Sequence, residues 1–316
     1  IPILYKGKQN LPIKSICQIS QNELCLGTDG KGTKIFNIPK QLITDYPFDN
    51  NYLDSGTSKV HSVLKDNAGN LWIAIYQKGV MMIPAQPNSF KYIGYKSINK
   101  NIIGSNCITS LCRDHEGILW IGTDNDGIYG ITTELKQKVH YAPHDSPSSV
   151  PSTVFGLYED SEHNLWFGSY TNGLGRLDKK TGQCSYLQNL TDKNGNRIQR
   201  VYDLVEDQDK RLWIATMGAG LFYYDLKTGQ SVYDPKFNAA TKKYKWISCL
   251  LYAGDNHLYV GTYDGIRCID LSTDDFKTEE ILSRHIIHSL YEDPQGNIWI
   301  GNSEGLAEWN PQTQQL

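Results

Sequence analysis

Residues 117–123 read Gly-Ile-Leu-Trp-Ile-Gly-Thr, and variants of this stretch occur seven times along the chain. The aromatic position of the motif falls at residues 25, 72, 120, 166, 213, 259 and 299, so consecutive copies are about 46 residues apart. A fixed period of this size indicates a repeat architecture, in which one structural unit is copied along the chain. We therefore predict one domain over residues 1–316 and not several unrelated domains.

Each copy has the pattern of four short strands joined by turns. In the fourth copy, apolar and β-branched segments at 154–160, 165–169, 174–178 and 184–187 alternate with turn residues such as those at 160–164. Apolar and aromatic residues occupy both faces of these strands, so each four-stranded antiparallel sheet has to be covered on both sides. Sheets packed face to face around an axis achieve this, and the sequence predicts an all-β, seven-bladed β-propeller.

The two ends of the chain suggest how the ring closes. In the fourth repeat Tyr186, in the fourth strand, follows Asp178 by eight residues, but the equivalent position after Asn310 lies beyond the C-terminus. A short apolar segment, Ile3-Leu4-Tyr5, precedes the first repeat. We predict that residues 1–5 form the outer strand of the blade that contains Trp299, which would leave no open sheet edge.

The recurring motif resembles the two-component-regulator propeller repeat. Its clearest copy is Glu-Asp-Pro-Gln-Gly-Asn-Ile-Trp-Ile-Gly at 292–301, followed by Gly-Leu at 305–306, and the resemblance extends to all seven repeats. The first copy departs most, because Cys25 replaces the Trp and Lys31-Gly32 stands where Gly-Leu is expected. Repeats of this kind build the periplasmic sensor region of bacterial hybrid two-component systems.

The resemblance implies a function for the chain. We expect a periplasmic module, part of an inner-membrane protein, that detects an oligosaccharide and controls polysaccharide-utilisation genes. The implied partners are the glycan, a second propeller, an Ig-like domain, a membrane-linked histidine kinase and a second copy of the chain in a homodimer. The family's kinase and regulator are absent from this stretch, so the module itself is expected to be no enzyme. A scaffold or dimerisation propeller that binds no ligand is the alternative, followed by a propeller lyase or hydrolase.

Composition excludes other classes of protein. A net charge of −3 over 316 residues does not indicate the clustered basic surface that nucleic-acid binding requires. No apolar run has the length of a membrane span, and the first residues lack both an initiator Met and the layout of a signal peptide, which we interpret as a piece of a longer protein. The seven Cys are an odd number without a CxxC pair, so we expect free, mostly packed thiols.

Candidate binding residues belong to the rim whose loops vary most between repeats, since variable loops on a rigid scaffold carry function. Trp246 precedes an inner strand and offers a stacking face for a sugar ring; covering a blade junction is its alternative role. The second residues of the inner strands vary in the same way. The predicted ligand-binding residues are Trp246, Arg200, Tyr202, His61, His288, Tyr170 and Tyr263.

Several other patterns could suggest catalysis or metal binding, but we interpret them as structural. The Glu-Asp pairs at 159–160, 206–207 and 292–293 recur at one turn of successive blades, so we predict turn residues and not acid/base catalysts. The segment 192–196 lacks the Gly and Glu of a calcium loop. His140 and His144 lack the spacing of zinc motifs. No nucleophile elbow occurs, and we expect no catalytic residue, metal or cofactor.

The repeated tryptophans are predicted to be structural. Trp120, Trp166 and Trp213 should pack between blades, because the motif places one large ring at the same point of every unit. Their truncation to Ala is expected to cost about 3–5 kcal/mol.

Overall fold

A computed structural model describes residues 11–46, 57–86, 93–94, 103–132, 137–192, 194–233, 245–273 and 275–316. These residues form seven antiparallel sheets, numbered here in chain order, and all their regular structure apart from one residue in a 3-10 turn is β. The chain divides into two compact units, residues 1–102 and 103–316. Among the described residues there is no helix long and apolar enough to cross a membrane.

The first unit contains sheets 1 and 2. Sheet 1 consists of β1 (Ile13–Ser20), β2 (Glu23–Thr28), β3 (Thr33–Asn37) and β4 (Leu42–Asp45), and sheet 2 of β5 (Val60–Lys65), β6 (Leu71–Ile75) and β7 (Gly79–Ile83). The first strands of the two sheets are neighbours. Val60, Val63 and Ile73 of sheet 2 enclose Cys25 of sheet 1, which explains why a small apolar side chain suits the aromatic position of this copy.

The second unit contains sheets 3 to 7. Sheet 3 has β8 (Ile108–Arg113), β9 (Leu119–Thr123), β10 (Ile128–Ile131) and β11 (Gln137–Tyr141), and sheet 4 has β12 (Val154–Glu159), β13 (Leu165–Ser169), β14 (Leu174–Leu177) and β15 (Cys184–Tyr186). Sheet 5 has β16 (Val201–Glu206), β17 (Arg211–Thr216), β18 (Leu221–Asp225) and β19 (Gln230–Val232), and sheet 6 has β20 (Ile247–Tyr252), β21 (His257–Thr262), β22 (Gly265–Asp270) and β23 (Thr278–Ser283). Sheet 7 has β24 (Ile287–Glu292), β25 (Ile298–Asn302) and β26 (Gly305–Trp309). The first strands of successive sheets are neighbours throughout this unit.

Seven sheets of three or four antiparallel strands confirm the predicted seven-bladed propeller fold class. Five sheets have four strands. Sheets 2 and 7 have three among the described residues, and the predicted outer strand at residues 1–5 lies outside those residues. Ring closure by the N-terminus and the assignment of residues 1–316 to a single domain therefore stay predictions.

The motif tryptophans Trp120, Trp166 and Trp213 pack between adjacent blades, as predicted. Trp120 of sheet 3 is 2% exposed and shares a cluster with Val154 and Leu165 of sheet 4, while Trp213 of sheet 5 is fully buried against Ile247 of sheet 6. Trp166 likewise joins residues of sheet 5. The role predicted for these rings is confirmed.

Each motif Trp is also held by the Asp six residues before it. Asp160 accepts a hydrogen bond from the backbone N–H of Asn164 at 2.8 Å and from Trp166 Nε1 at 2.7 Å, so one carboxylate closes the hairpin and orients the indole. The same indole bond forms in sheets 2, 3, 5 and 7. The two copies without Trp have Ile19 and Ala253 in place of the Asp.

The Glu of each Glu-Asp pair links neighbouring blades. Glu206 of sheet 5 accepts a hydrogen bond from the backbone N–H of Ser161 in sheet 4 at 2.7 Å. Glu159 accepts from His115 N–H in sheet 3 at 2.6 Å, and Glu292 accepts from Gly254 N–H in sheet 6 at 3.1 Å. The pairs are turn residues, as the sequence predicted, and the structure adds a junction role for each Glu.

The Gly of the motif allows the strands of two adjacent blades to pack closely. A Cβ atom at Gly168 would lie 2.5 Å from the carbonyl oxygen and 2.7 Å from Cγ1 of Val201, on the first strand of the next blade. Real Cβ atoms do not approach neighbours this closely, so the backbone of β16 can lie against β13 only where the side chain is absent or very small.

All seven cysteines are free thiols, in keeping with the sequence prediction. Cys25, Cys184 and Cys249 are buried, whereas Cys107 is exposed.

Candidate functional site

The first strand of each sheet has a β-bulge, which removes one residue from the regular strand pairing. In each of the seven sheets the pairing with the second strand shifts between the first and third residues of the first strand, as between Val201 and Asp203 in β16. A bulge leaves the intervening residue unpaired and re-aims its side chain. The unpaired residues are the variable second positions of the sequence analysis, and they include His61, Phe155, Tyr202 and His288.

In sheets 4 and 5 these bulge residues contact one another and the loops above them. The rings of Phe155 and Tyr202 are 4.9 Å apart, and Phe155 meets Tyr170 edge to face at 5.9 Å. The guanidinium carbon of Arg200 lies 5.1 Å from the centre of the Tyr170 ring, within the range of a cation–π interaction. Tyr170 stays 44% exposed, so its ring is available to a ligand.

Trp246 and Tyr263 continue the group in sheet 6. Their rings are 5.8 Å apart and inclined by 34°, with exposed fractions of 39% and 44%. The backbone fixes the pair, because Tyr263 N–H donates to the Trp246 carbonyl at 3.1 Å and Trp246 bridges to Met217 in sheet 5. We call these six residues the aromatic band: Phe155, Tyr170, Arg200, Tyr202, Trp246 and Tyr263.

Arg200 occupies a strained position between two blades. Its φ of 54° is left-handed, which costs a residue other than glycine about 1 kcal/mol or more. Its N–H donates to the Tyr170 carbonyl at 3.2 Å, and its own carbonyl accepts from Met217 N–H at 3.0 Å. These two bonds hold the backbone of Arg200 between the blades, and its guanidinium lies over the Tyr170 ring.

Tyr202 is suited to act as a hydrogen-bond donor. Burial raises the pKa of its hydroxyl, and the nearby Tyr263 and Asp203 raise it further, so the group keeps its proton at neutral pH. A protonated phenol can donate to one ligand oxygen and accept from another. The band therefore combines apolar ring faces with hydroxyl and guanidinium groups.

Asp203 lies directly behind the band and was not recognised from the sequence. Its carboxylate accepts hydrogen bonds from Leu204 N–H at 2.9 Å and from Leu250 N–H of sheet 6 at 2.8 Å. Burial nevertheless raises the pKa of this carboxyl group to about 6. In sheet 1 the equivalent residue, Ser15, accepts from Val63 N–H of sheet 2 in the same way, so the junction role was visible only after the sheets were placed.

The structure brings together five of the seven predicted site residues. Tyr170, Arg200 and Tyr202 belong to one side of the band, and Trp246 and Tyr263 to the other. His288 is exposed at the bulge position of β24, without a ring contact to the band among the residues described. His61 belongs to the first unit, where its ring stacks on Tyr76 at 5.1 Å. Phe155 joins the band although it was not a predicted site residue; its place at a variable second position was the available signal.

The alternative cation sites have ordinary structural roles. Asp192 accepts from the N–H groups of Asn194 and Asn196, both at 2.8 Å, and closes a turn, as the sequence predicted. His140 stacks on Tyr129 at 3.9 Å, whereas His144 bonds to the hydroxyl of Ser149, so the two imidazoles have separate partners.

The model of the two component regulator propeller family matches residues 102–125, 148–171, 192–218 and 281–304. These four segments are similar to two-component-regulator propeller repeats. The four matched segments span the copies at Trp120, Trp166, Trp213 and Trp299, which confirms the resemblance recognised from the sequence. No curated protein matches the chain significantly.

Solved structures of other proteins have a similar fold. The extracellular domain of a putative one component system from B. thetaiotaomicron is similar with a TM-score of 0.62 and 21% identity, over 98% of this chain and 43% of that one. The extracellular domain of a putative hybrid two component system from the same organism gives 0.53 and 20%, over 95% and 45%. PorZ, a surface component of the type-IX secretion system of Porphyromonas gingivalis, gives 0.52 and 10%, over 97% and 56%. The chain spans about half the length of the structures it resembles.

Proposed function

We propose that the chain is a ligand-sensing propeller of an extracytoplasmic sensor region in a hybrid two-component system, and that its ligand is an oligosaccharide. The aromatic band carries this proposal, because its partly exposed rings lie on the rim with the variable loops. The propeller repeats and the extracellular domains that share the fold support the placement outside the cytoplasm.

A sugar fits the chemistry of the band better than other ligand classes. Each sugar ring has apolar C–H faces and a girdle of hydroxyl groups, so it needs stacking surfaces beside hydrogen-bonding groups. Trp246 and Tyr263 supply two adjoining rings, and Tyr202 and Arg200 supply hydroxyl and guanidinium groups. A nucleic acid would need a clustered basic surface, and the chain has a net charge of −3.

In the proposed role the module binds and does not catalyse. Ligand binding would bias the arrangement of the domains that flank this chain, and a membrane-linked histidine kinase elsewhere in the protein would carry the signal to polysaccharide-utilisation genes. A second propeller, an Ig-like domain and a second copy of the chain are the proposed partners in that assembly. We place it in the periplasm, anchored to the inner membrane by the remainder of the protein.

A calorimetric screen of oligosaccharides against the isolated chain, with product analysis of each mixture, tests the proposal. We expect saturable binding of one glycan class without turnover. Trp246→Ala should weaken that binding by about 1–3 kcal/mol and leave the thermal midpoint nearly unchanged, as for other aromatic anchors. Tyr291→Ala is the matched control, since Tyr291 is 63% exposed but lies outside the band.

The other outcomes identify the alternative functions. Turnover of a glycan would show a propeller lyase or hydrolase. An absence of binding across the screen would favour a scaffold or dimerisation propeller. Unchanged affinity in the Trp246→Ala variant would remove Trp246 from the site.

A further inference from the structure

A second group of functional side chains lies on the opposite rim, at the junction of sheets 3 and 4. His115 belongs to the turn between β8 and β9, His163 to the turn between β12 and β13, and Glu159 to the end of β12. The two imidazole rings stack at 3.7 Å, and His115 Nδ1 is 2.8 Å from Glu159 Oε1. One ligand atom from each of the three side chains lies within 4.8 Å of the other two.

His163 occupies a turn position that glycine fills in three of the seven sheets. Gly69, Gly117 and Gly296 fill the same turn position in sheets 2, 3 and 7, with φ between 81° and 87°. His163 has a φ of 67°, which strains a residue with a Cβ atom. The hairpin does not require this residue, because Asp160 already closes the turn through Asn164. The turn uses the backbone N–H of His163, which donates to the Asp160 carbonyl at 2.9 Å, but it does not use the imidazole, which is therefore free to serve another role.

Another substitution at this position also produces a contact between blades. In sheet 5 the residue is Lys210, with a φ of 69°, and its ammonium group bonds to the hydroxyl of Ser161 in sheet 4. Where this glycine is replaced by Lys or His, the new side chain therefore reaches the preceding blade. His163 reaches the preceding blade at His115.

From this geometry we propose that His115, Glu159 and His163 bind a divalent transition-metal ion, with Zn²⁺ the preferred ion. Two imidazole nitrogens and one carboxylate oxygen are a common ligand set for zinc, and they leave the fourth tetrahedral position open. Nitrogen and oxygen atoms bound to one zinc ion lie about 3.4 Å apart. His115 Nδ1 and Glu159 Oε1 are already closer than this, and no pair of ligand atoms has to approach by more than about 1.4 Å, a shift that rotation of the two exposed histidines can supply.

The charges around the group are compatible with a cation. The Glu159 carboxylate supplies a negative charge, and its oxygens accept hydrogen bonds from the backbone N–H of His115 and from Lys179. Lys179 Nζ is 2.5 Å from Glu159 Oε1 and 3.3 Å from Asp114 Oδ2. Two carboxylates therefore face one ammonium group, and Lys179 retains Asp114 as its partner when Glu159 turns to a metal.

A cavity of about 1030 Å³ gives access to the group. Both histidines line it, together with Arg176, Lys179 and Lys180. The open coordination position is thus available to water or to a small anionic ligand. A bound ion would also join the turn of sheet 3 to the turn of sheet 4, which adds a cross-link between two blades.

Zinc titration of the chelator-treated protein in a calorimeter tests the proposal. We expect one ion per chain and a higher thermal midpoint in zinc. His163→Gly should bind zinc at least tenfold more weakly, and it should fold normally without metal because glycine fills the same turn position in sheets 2, 3 and 7. His257→Ala is the matched control: His257 is in the equivalent hairpin of sheet 6, 3.2 Å from Asp255, and its loss should leave zinc binding unchanged.

Cobalt spectroscopy separates this site from binding by the free thiols. The Co²⁺ complex should lack the near-ultraviolet charge-transfer band of a cobalt–thiolate bond and should disappear in the His163→Gly variant. Any of three results would overturn the proposal: no zinc binding by the parent protein, equal affinity in His163→Gly, or a thiolate band that accounts for the bound cobalt.

Discussion

The indole Nε1 of Trp213 donates a hydrogen bond of 2.7 Å to Oδ2 of Asp207, and both side chains are buried. The same carboxylate accepts from the N–H of Arg211 at 3.0 Å, so it joins the hairpin of sheet 5 to the ring that packs against sheet 6. One side chain thereby couples local turn formation to packing between blades. The same coupling is present at Trp120 in sheet 3 and Trp166 in sheet 4, whereas sheets 2 and 7 share the indole hydrogen bond.

Trp213→Phe tests the hydrogen bond separately from the packing. The Phe ring fills much of the same space but cannot donate, which leaves one oxygen of the buried Asp207 with one partner fewer. We expect a loss of about 1–3 kcal/mol in the free energy of unfolding, measured by urea denaturation. Trp72→Phe is the control, because Trp72 makes the same bond while 40% exposed and should lose less than about 1 kcal/mol. Equal losses in the two variants would contradict the role of burial.

Gly168→Ala tests the close approach between sheets 4 and 5. The added methyl group collides with the backbone of Val201, so we expect destabilisation of about 1–3 kcal/mol from overpacking. At Gly254, on the junction of sheets 6 and 7, a Cβ atom would meet its nearest neighbour at an ordinary 3.6 Å. Gly254→Ala should therefore change the free energy of unfolding by less than about 0.5 kcal/mol. A Gly168→Ala protein as stable as the parent would refute the packing reason for the motif Gly.

Arg200→Gly should separate stability from ligand binding. Glycine accepts the φ of 54° without strain, so the variant should be as stable as the parent or up to about 1 kcal/mol more stable. Glycan affinity should fall, because the guanidinium beside Tyr170 is lost. Calorimetry and thermal denaturation of the same samples measure both effects. Arg200→Lys keeps the charge and the strain and should give an intermediate affinity; full affinity in Arg200→Gly would exclude Arg200 from the site.

The raised pKa of the Asp203 carboxyl group makes the stability of the protein depend on pH. Its pKa is raised from 3.8 to about 6 in the folded protein, mainly by burial, so between these values the folded state keeps a proton that the unfolded state releases. The contribution of Asp203 to the free energy of unfolding is therefore fully present below about pH 4, and it is lost as the pH rises through about 6. The loss is on the order of 3 kcal/mol.

The comparison with Asp203→Asn isolates this effect from all other titrating groups. The difference in unfolding free energy, parent minus variant, should fall between pH 4 and pH 7 and stay level above pH 7. A difference that does not change with pH would show that Asp203 has an ordinary pKa.

The sequence by itself determined the repeat and therefore the fold class. A motif every 46 residues or so, with turn residues at fixed offsets, admits few structures other than a propeller, and the buried positions of Trp120, Trp166 and Trp213 follow from that regularity. The turn role of the Glu-Asp pairs followed for the same reason. Local patterns report short-range constraints, and these features depend on contacts within one hairpin or between identical neighbours.

Only the tertiary structure decided which side chains meet. The bulge that releases Tyr202 from its ladder is a matter of register between two strands, and residue types alone do not fix it. The contacts of Phe155 with Tyr202, and of His115 with Glu159 and His163, join residues more than 40 positions apart in different blades. Proximity of this kind is set by the packing of one sheet on the next, so the aromatic band was found only in part from the sequence and the histidine cluster not at all.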